Sequence, residues 1–161
     1  MDQPPLLIVW HSRTGASEAM AAAAARGAGA RGRLLACEDA RPEDFLAAKG
    51  YLFCGPENLA ALSGAMKEMF DRSYYPLLGR IEGRAYATII AAGSDGSGAQ
   101  RQLDRIATGW RLRRVLEPIV VDFRAQTPQA ILAAKTVAPS VLADCRELGA
   151  GLAEGLSQGL F

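Results

Sequence analysis

Histidine is nearly missing from this sequence: His11 is the only one in 161 residues. Cysteine is almost as scarce, and Cys37, Cys54 and Cys145 are widely spaced with no C-x-x-C among them. A zinc site and a disulfide framework therefore have no support, and reduced, buried thiols are expected. Charge of one sign is also lacking. The formal net charge is +1, so no global field favours nucleic acid. No run of about eighteen apolar residues is present, which argues against a membrane span. Met1-Asp2-Gln3-Pro4-Pro5 has no basic n-region or cleavage site, so it does not read as a signal peptide and the cytoplasm is the expected compartment. Neither common nucleotide loop occurs: there is no G-x-x-x-x-G-K-[ST] and no G-x-G-x-x-G. Nor does any Ser/His/Asp or Cys/His constellation suggest a side-chain nucleophile.

What the sequence does contain is organised around His11-Ser12-Arg13-Thr14-Gly15-Ala16-Ser17. An apolar run, Leu6 to Trp10, precedes it, and an alanine-rich segment beginning at Glu18 follows. Strand, hydroxyl-rich loop and helix in that order suit a phosphate. The first turn of a helix has backbone N–H groups without intrahelical partners, and its dipole places partial positive charge there. Ser12, Thr14 and Ser17 add hydroxyls, and Gly15 allows close backbone approach. The simpler alternative is that Thr14 or Ser17 only caps the helix.

Half of the residues are hydrophobic, and the length suits a single domain over 1–161, with no repeat or low-complexity linker. Glu18 to Ala30 reads as a helix with a small-residue face for packing on a sheet, stopped by Gly27, Gly29 and Gly32. Arg33 to Ala36 reads as a second strand, and Asp39 to Ala48 as a short helix with Pro near its start. Gly50 to Gly55 is a compact apolar run expected to be a strand buried on both faces. Pro56-Glu57-Asn58-Leu59 follows as a loop. A helix from about Ala60 to Tyr75 carries Leu62, Met66, Met69 and Phe70 at helical spacing, a core stripe. Arg84 to Ala92 is the fourth strand, Gly93-Ser94-Asp95-Gly96-Ser97-Gly98 a second glycine-rich loop, and Gln100 to Trp110 a helix. Val115 to Val121 is the fifth strand, with Pro118 marking an edge or bulge. Asp122 to Ala138 has no assignable structure, and a helical stripe from Val141 to Leu156 closes the chain.

Five strands alternating with helices imply an α/β fold with a doubly wound parallel sheet in three layers. The segment S-x-T-G-x-S after the first strand resembles the FMN phosphate loop of the flavodoxin-like flavoproteins, which include electron-carrier flavodoxins and NAD(P)H-dependent FMN and quinone reductases. Gly55 to Arg72, G-P-E-N-L-A-A-L-S-G-A-M-K-E-M-F-D-R, resembles the loop and helix after the third strand of the reductase branch, which typically has a G-x-P start and an M-K…F-x-D-R finish. The tail from Leu142 to Gly155 also resembles that branch. The resemblance covers nearly the whole chain and implies a sheet order of 2-1-3-4-5, with the ligand at the carboxyl ends of the strands where that order reverses.

The resemblance implies that Ser12, Arg13, Thr14, Gly15, Ala16 and Ser17 hold the FMN phosphate. Many relatives carry an amide side chain where Ala16 stands and Thr where Ser17 stands. Pro56, Glu57, Asn58 and Leu59 would line one edge of the isoalloxazine, and Gly93, Ser94, Asp95, Gly96, Ser97 and Gly98 its pyrimidine and ribityl side. Neither ring loop has an aromatic residue. An open ring face suits a nicotinamide, which must stack on the flavin, unless Tyr74, Tyr75 or Trp110 of a neighbouring subunit covers it. The activity implied is an NAD(P)H-dependent oxidoreductase, with NADH or NADPH as co-substrate and a quinone or similar small molecule as acceptor, often as a homodimer or homotetramer. The alternatives are an electron carrier serving a redox protein partner, and a flavodoxin-fold protein without FMN. Many electron carriers of this family are strongly acidic, which this chain is not.

Four features carry simpler readings beside functional ones. His11 either touches the cofactor or is hydrogen-bonded away from it. Asp95 either accepts from a ligand or closes its own turn. Arg111, Arg113 and Arg114 either meet nucleotide phosphates or sit solvated after a helix C-terminus. Cys54 ends a buried strand, where packing is the simpler role.

Overall fold

The computed structural model describes residues 3–161. The chain runs β1 (Leu6–Trp10), α1 (Ala16–Ala28), β2 (Gly32–Ala36), α2 (Pro42–Ala47), β3 (Gly50–Asn58), β4 (Ala61–Leu62) and α3 (Gly64–Leu77). It continues through β5 (Ala85–Ala92), α4 (Ser97–Gly109), β6 (Arg113–Arg114), β7 (Ile119–Asp122), α5 (Pro128–Leu132) and α6 (Pro139–Gln158). The sheet is ordered β2-β1-β3-β5, and β6 and β7 both pair with the outer edge of β5, all in parallel. With β6 and β7 taken as one interrupted strand, this is the expected order.

The interruption has a cause in the sequence. Tyr86 pairs with Arg114 and Ile89 with Ile119, so two more residues lie between the pairs on the outer strand than on β5. Pro118 lies in that excess and has no N–H to give to a ladder. The expected continuous fifth strand from Val115 to Val121 is thus two short pieces around a bulge.

The two faces of the sheet are built from different material. Beneath α2, α3 and α4 lies an aromatic cluster of Phe45, Tyr51, Phe53, Phe70 and Trp110. Trp110 meets Phe45 and Phe70 edge-on at centroid distances of 5.3 and 5.1 Å. It is core, and so is not free to cover a ligand in a neighbouring subunit. The opposite face is covered by α1 and α6 with alanine and small aliphatic residues. These two helices touch backbone to backbone: a Cβ on Gly27 would lie 1.9 Å from the Arg146 carbonyl oxygen, and one on Gly149 would lie 2.0 Å from that of Ala24. Gly27 therefore sits inside α1 as a packing residue instead of ending it. The small face of α1 serves a helix as well as the sheet.

Two further boundaries differ from expectation. β3 runs on through Pro56, Glu57 and Asn58, expected as loop, and folds back on β4 as a hairpin. Consequently α3 starts at Gly64, capped by Ser63, whose hydroxyl accepts from the Met66 N–H. The segment 122–138 contains α5, with the Thr127 hydroxyl accepting from the Ala130 N–H at 3.2 Å.

Candidate functional site

At the carboxyl end of the sheet, the Trp10 carbonyl accepts from Cys37 and the His11 N–H donates to Cys54, which holds the start of the first loop to both neighbouring strands. The Ser12 hydroxyl then accepts from the Gly15 N–H at 3.0 Å and closes the turn. Gly15 has φ 97°, a left-handed conformation that glycine adopts without strain, and α1 begins at the next residue. No side chain caps this helix. The N–H groups of Ala16, Ser17 and Glu18 have no partner within the helix. Ser17 is 1% exposed, and its Oγ has no hydrogen-bond partner among the described residues. A buried hydroxyl without a partner is costly, of the order of 1–3 kcal/mol, so its placement beside an uncapped helix start points to a polar ligand atom.

These residues border a cleft of about 340 Å³. Ser12, Arg13, Thr14, Ala16 and Ser17 form one wall, Pro56, Glu57 and Asn58 a second, and Gly93, with Ala91 and Ala92 before it, a third. The fourth wall comes from the unassigned stretch: Phe123, Ala125, Ile131, Leu132 and Lys135. The Lys135 N–H donates to the Thr14 carbonyl at 2.8 Å, tying that wall to the first loop. Sequence reasoning missed it, although Thr127-Pro128 before Ile131-Leu132 is a helix-start signature.

The hairpin's position is set by two anchors on α4. Glu57 Oε1 accepts from the Gly96 N–H at 3.0 Å, and Oε2 accepts from the Ala99 N–H at 2.9 Å. Gln102 Oε1 accepts from the Leu62 N–H at 2.6 Å. At the tip, Leu59 and Ala60 both have positive φ, 51° and 63°, as a tight two-residue hairpin turn requires. A Cβ on Gly98 would stand 2.2 Å from the Ala60 carbonyl oxygen, so only glycine admits this contact.

The sixteen residues singled out in the sequence therefore divide. Ser12, Arg13, Thr14, Ala16, Ser17, Pro56, Glu57, Asn58 and Gly93 border the cleft, with Gly15 shaping the turn beneath them. Leu59 stands fully exposed at the hairpin tip, outside the lining. Ser94, Asp95, Gly96, Ser97 and Gly98 lie outside it too. Asp95 closes its own turn by accepting from the Ser97 hydroxyl at 2.7 Å, which holds its carboxyl below the usual range. Gly96 gives its N–H to Glu57, and Gly98 receives the hairpin tip.

His11 is turned away from the cleft: Nδ1 lies 2.8 Å from the Ser63 hydroxyl, and Nε2 lies 3.8 Å from a Glu38 carboxylate oxygen. Arg113 and Arg114 pair beside Ala85 and Tyr86, at the opposite end of the sheet, and Arg114 meets Asp104 at 2.9 Å. All three cysteines are free and buried. Burial pushes the Cys54 thiol well up, and its Sγ donates to the Ser17 carbonyl.

No protein-family model matches the chain. A flavodoxin from Aquifex aeolicus (strain VF5) is 29% identical over 158 residues, covering 92% of this chain and 85% of that protein. Among solved structures, a flavodoxin from the domain Archaea matches with a TM-score of 0.75 at 15% identity, covering 94% of this chain and 98% of the other. A WrbA-like flavodoxin from Agrobacterium tumefaciens matches at 0.76 and 20% identity, covering 95% and 97%. By its fold, the chain stands with the flavodoxin-like proteins. Its neighbours there include both flavodoxins and a WrbA-like protein.

Proposed function

We propose that the protein is a single-domain FMN-binding oxidoreductase that takes reducing equivalents from NADH or NADPH and passes them to a quinone or similar acceptor. The observation that carries the cofactor is the start of α1, where uncapped N–H groups meet the buried, unpartnered Ser17 hydroxyl at the cleft. Those donors fit a phosphate. Ser12 to Ser17 would hold it, and Arg13, which borders the same cleft, would add charge. Pro56 to Asn58 and Gly93 would flank the ring, and Phe123, Ile131 and Leu132 would keep water from it. When bound, FMN supplies hydride and one-electron chemistry, and the protein supplies position and electrostatics.

The reductase reading is supported by the hairpin, which presents no aromatic side chain and points Leu59 into solvent. The ring is thus left without a cover from this loop, as stacking by a nicotinamide requires. Three free, buried thiols fit a reducing compartment such as the cytoplasm. Exposed Tyr75 and Leu78 at α3 are compatible with a homodimer or homotetramer, which sedimentation would reveal.

A second reading, an electron carrier, is favoured by the identity with the Aquifex aeolicus flavodoxin. Protein loaded with FMN and mixed with NADH or NADPH and a quinone separates the two. Steady nucleotide oxidation supports the reductase. No oxidation, with flavin reduction only through a separate reductase, supports the carrier. Protein that never takes up FMN would be a flavodoxin-fold protein with another role.

A further inference from the structure

We infer that Lys135 is the counter-cation of the phosphate subsite at the start of α1 and tunes it for a dianionic phosphomonoester, an inference that rests on the FMN reading. The first loop offers mainly neutral donors. A helix start carries the equivalent of about half a positive charge, whereas a phosphomonoester carries about 1.5 to 2 negative charges at neutral pH. Hydroxyls and backbone N–H groups therefore leave roughly one negative charge or more without compensation. In a cleft partly shielded from water that remainder is costly unless a cation stands beside it.

Among the described residues, the lining of the cleft has two cations, Arg13 and Lys135, and one acid, Glu57. Both Glu57 oxygens are turned into the start of α4, where they accept from Gly96 and Ala99. Glu18 on the first turn of α1, Asp95 and Asp122 are exposed and lie outside the lining. Arg13 is exposed as well. Lys135 is half-buried, and its backbone N–H donates to the Thr14 carbonyl at 2.8 Å. That bond pins the root of the lysine beside the open helix start, two residues before α1 begins at Ala16. A flexible four-carbon stem with three donors then brings a positive charge within reach of a phosphate held there.

Two of those donors are spent on the chain itself. The ammonium meets the carbonyls of Ile131 at 3.0 Å and Ala133 at 2.6 Å, at the end of α5. The third donor has no partner among the described residues and is left for a ligand. Capping α5 is the simpler role for these bonds. Capping alone does not call for the bond to Thr14, which fastens the same residue to the loop that faces the phosphate.

The assignment is tested on Lys135→Gln and Lys135→Arg by fluorescence titration with FMN and with riboflavin. Phosphorus NMR follows bound FMN across its second phosphate pKa, about 6 in a free phosphomonoester. Lys135→Gln is expected to weaken FMN about tenfold and to leave riboflavin unchanged, and Lys135→Arg to restore most of the loss. The phosphate bound to wild type is expected to lose its second proton at lower pH than the one bound to Lys135→Gln, since a nearby cation favours the dianion. Equal weakening of both flavins, or a lowered melting temperature with an unchanged ratio of FMN to riboflavin affinity, gives Lys135 to the packing of α5 and overturns the inference. So does an FMN affinity that matches wild type, or a phosphate titration that does not move. Wild type that binds neither flavin removes the FMN reading, and inorganic phosphate then decides on Lys135 by itself. A melting temperature that phosphate raises in wild type but not in Lys135→Gln upholds the inference, and any other result overturns it.

Discussion

Helices α1 and α4 both follow a parallel strand and both start at a left-handed glycine, with φ 97° and ψ −14° at Gly15 and φ 92° and ψ −12° at Gly96. Their first turns offer the same backbone donors and the same dipole. At α4 the chain supplies its own anion, since the two Glu57 oxygens take the Gly96 and Ala99 N–H groups. At α1 the Gly15 N–H goes to the Ser12 hydroxyl, but no carboxylate meets the helix start and the buried Ser17 hydroxyl beside it lacks a partner among the described residues. Glu57 thus shows what this geometry holds when filled. On the proposed reading, the open start is the one left for an anion from outside, while the filled one fixes the hairpin.

The largest test of this comparison exchanges its glycines. Gly96→Ala should cost about 3 kcal/mol, combining a strained positive φ with a Cβ only 2.5 Å from Val120 Cγ1. Gly15→Ala meets no atom within 4 Å and should cost only about 1 kcal/mol. Urea unfolding of both variants measures the gap, and equal losses would mean that the two turns are not differently packed.

Making α1 resemble α4 comes next. Thr14→Asp places a carboxylate at the open start, where it should weaken FMN about a hundredfold, roughly 2.7 kcal/mol, without lowering the melting temperature. Flavin fluorescence and thermal melting read the two halves of that statement. Making α4 resemble α1 is milder. Glu57→Gln replaces a charged acceptor by a neutral one and should cost about 1.5 kcal/mol, with faster hydrogen exchange at Gly96 and Ala99. If those amides stay protected, the carboxylate is not what holds the hairpin.

The smallest effect is one of pH. Hydrogen bonds from Ser97 hold the Asp95 carboxyl below its ordinary range. Its contribution is therefore complete above the usual carboxylate pKa of about 3.9 and is lost as pH falls below it. The turn before α4 should loosen only in acid, and Asp95→Asn should flatten that part of the stability profile. The turn before α1 contains no carboxylate and should show no such change.

The same contrast explains what could be read from residues. The first loop was legible because its information is local: an apolar run, hydroxyls, one glycine and a helix former. The filled start of α4 was not, because its partner Glu57 lies far away in the chain and acts through a hairpin. Pro56 argued for a loop at that point. Yet β1 is paired with β3 only as far as Trp10 and Cys54, so Pro56 lies beyond the ladder on that side, and its missing N–H costs nothing there. The Leu59-Ala60 turn has neither Gly nor Asn and is imposed by the anchors on α4 and the space above Gly98. Gly27 misled in the same way, since its reason is the backbone of α6. The wall formed by Phe123 to Lys135 was within reach, through the Thr-Pro helix start.

The most direct test of the central claim compares FMN with riboflavin, which lacks the phosphate, by fluorescence titration of wild type and Ser17→Ala. The account predicts that wild type binds FMN at least tenfold more tightly than riboflavin, and that Ser17→Ala narrows the difference several-fold while leaving unliganded stability intact. Equal affinity for the two flavins, or no affinity for either, would contradict the assignment of the α1 start to a ligand phosphate.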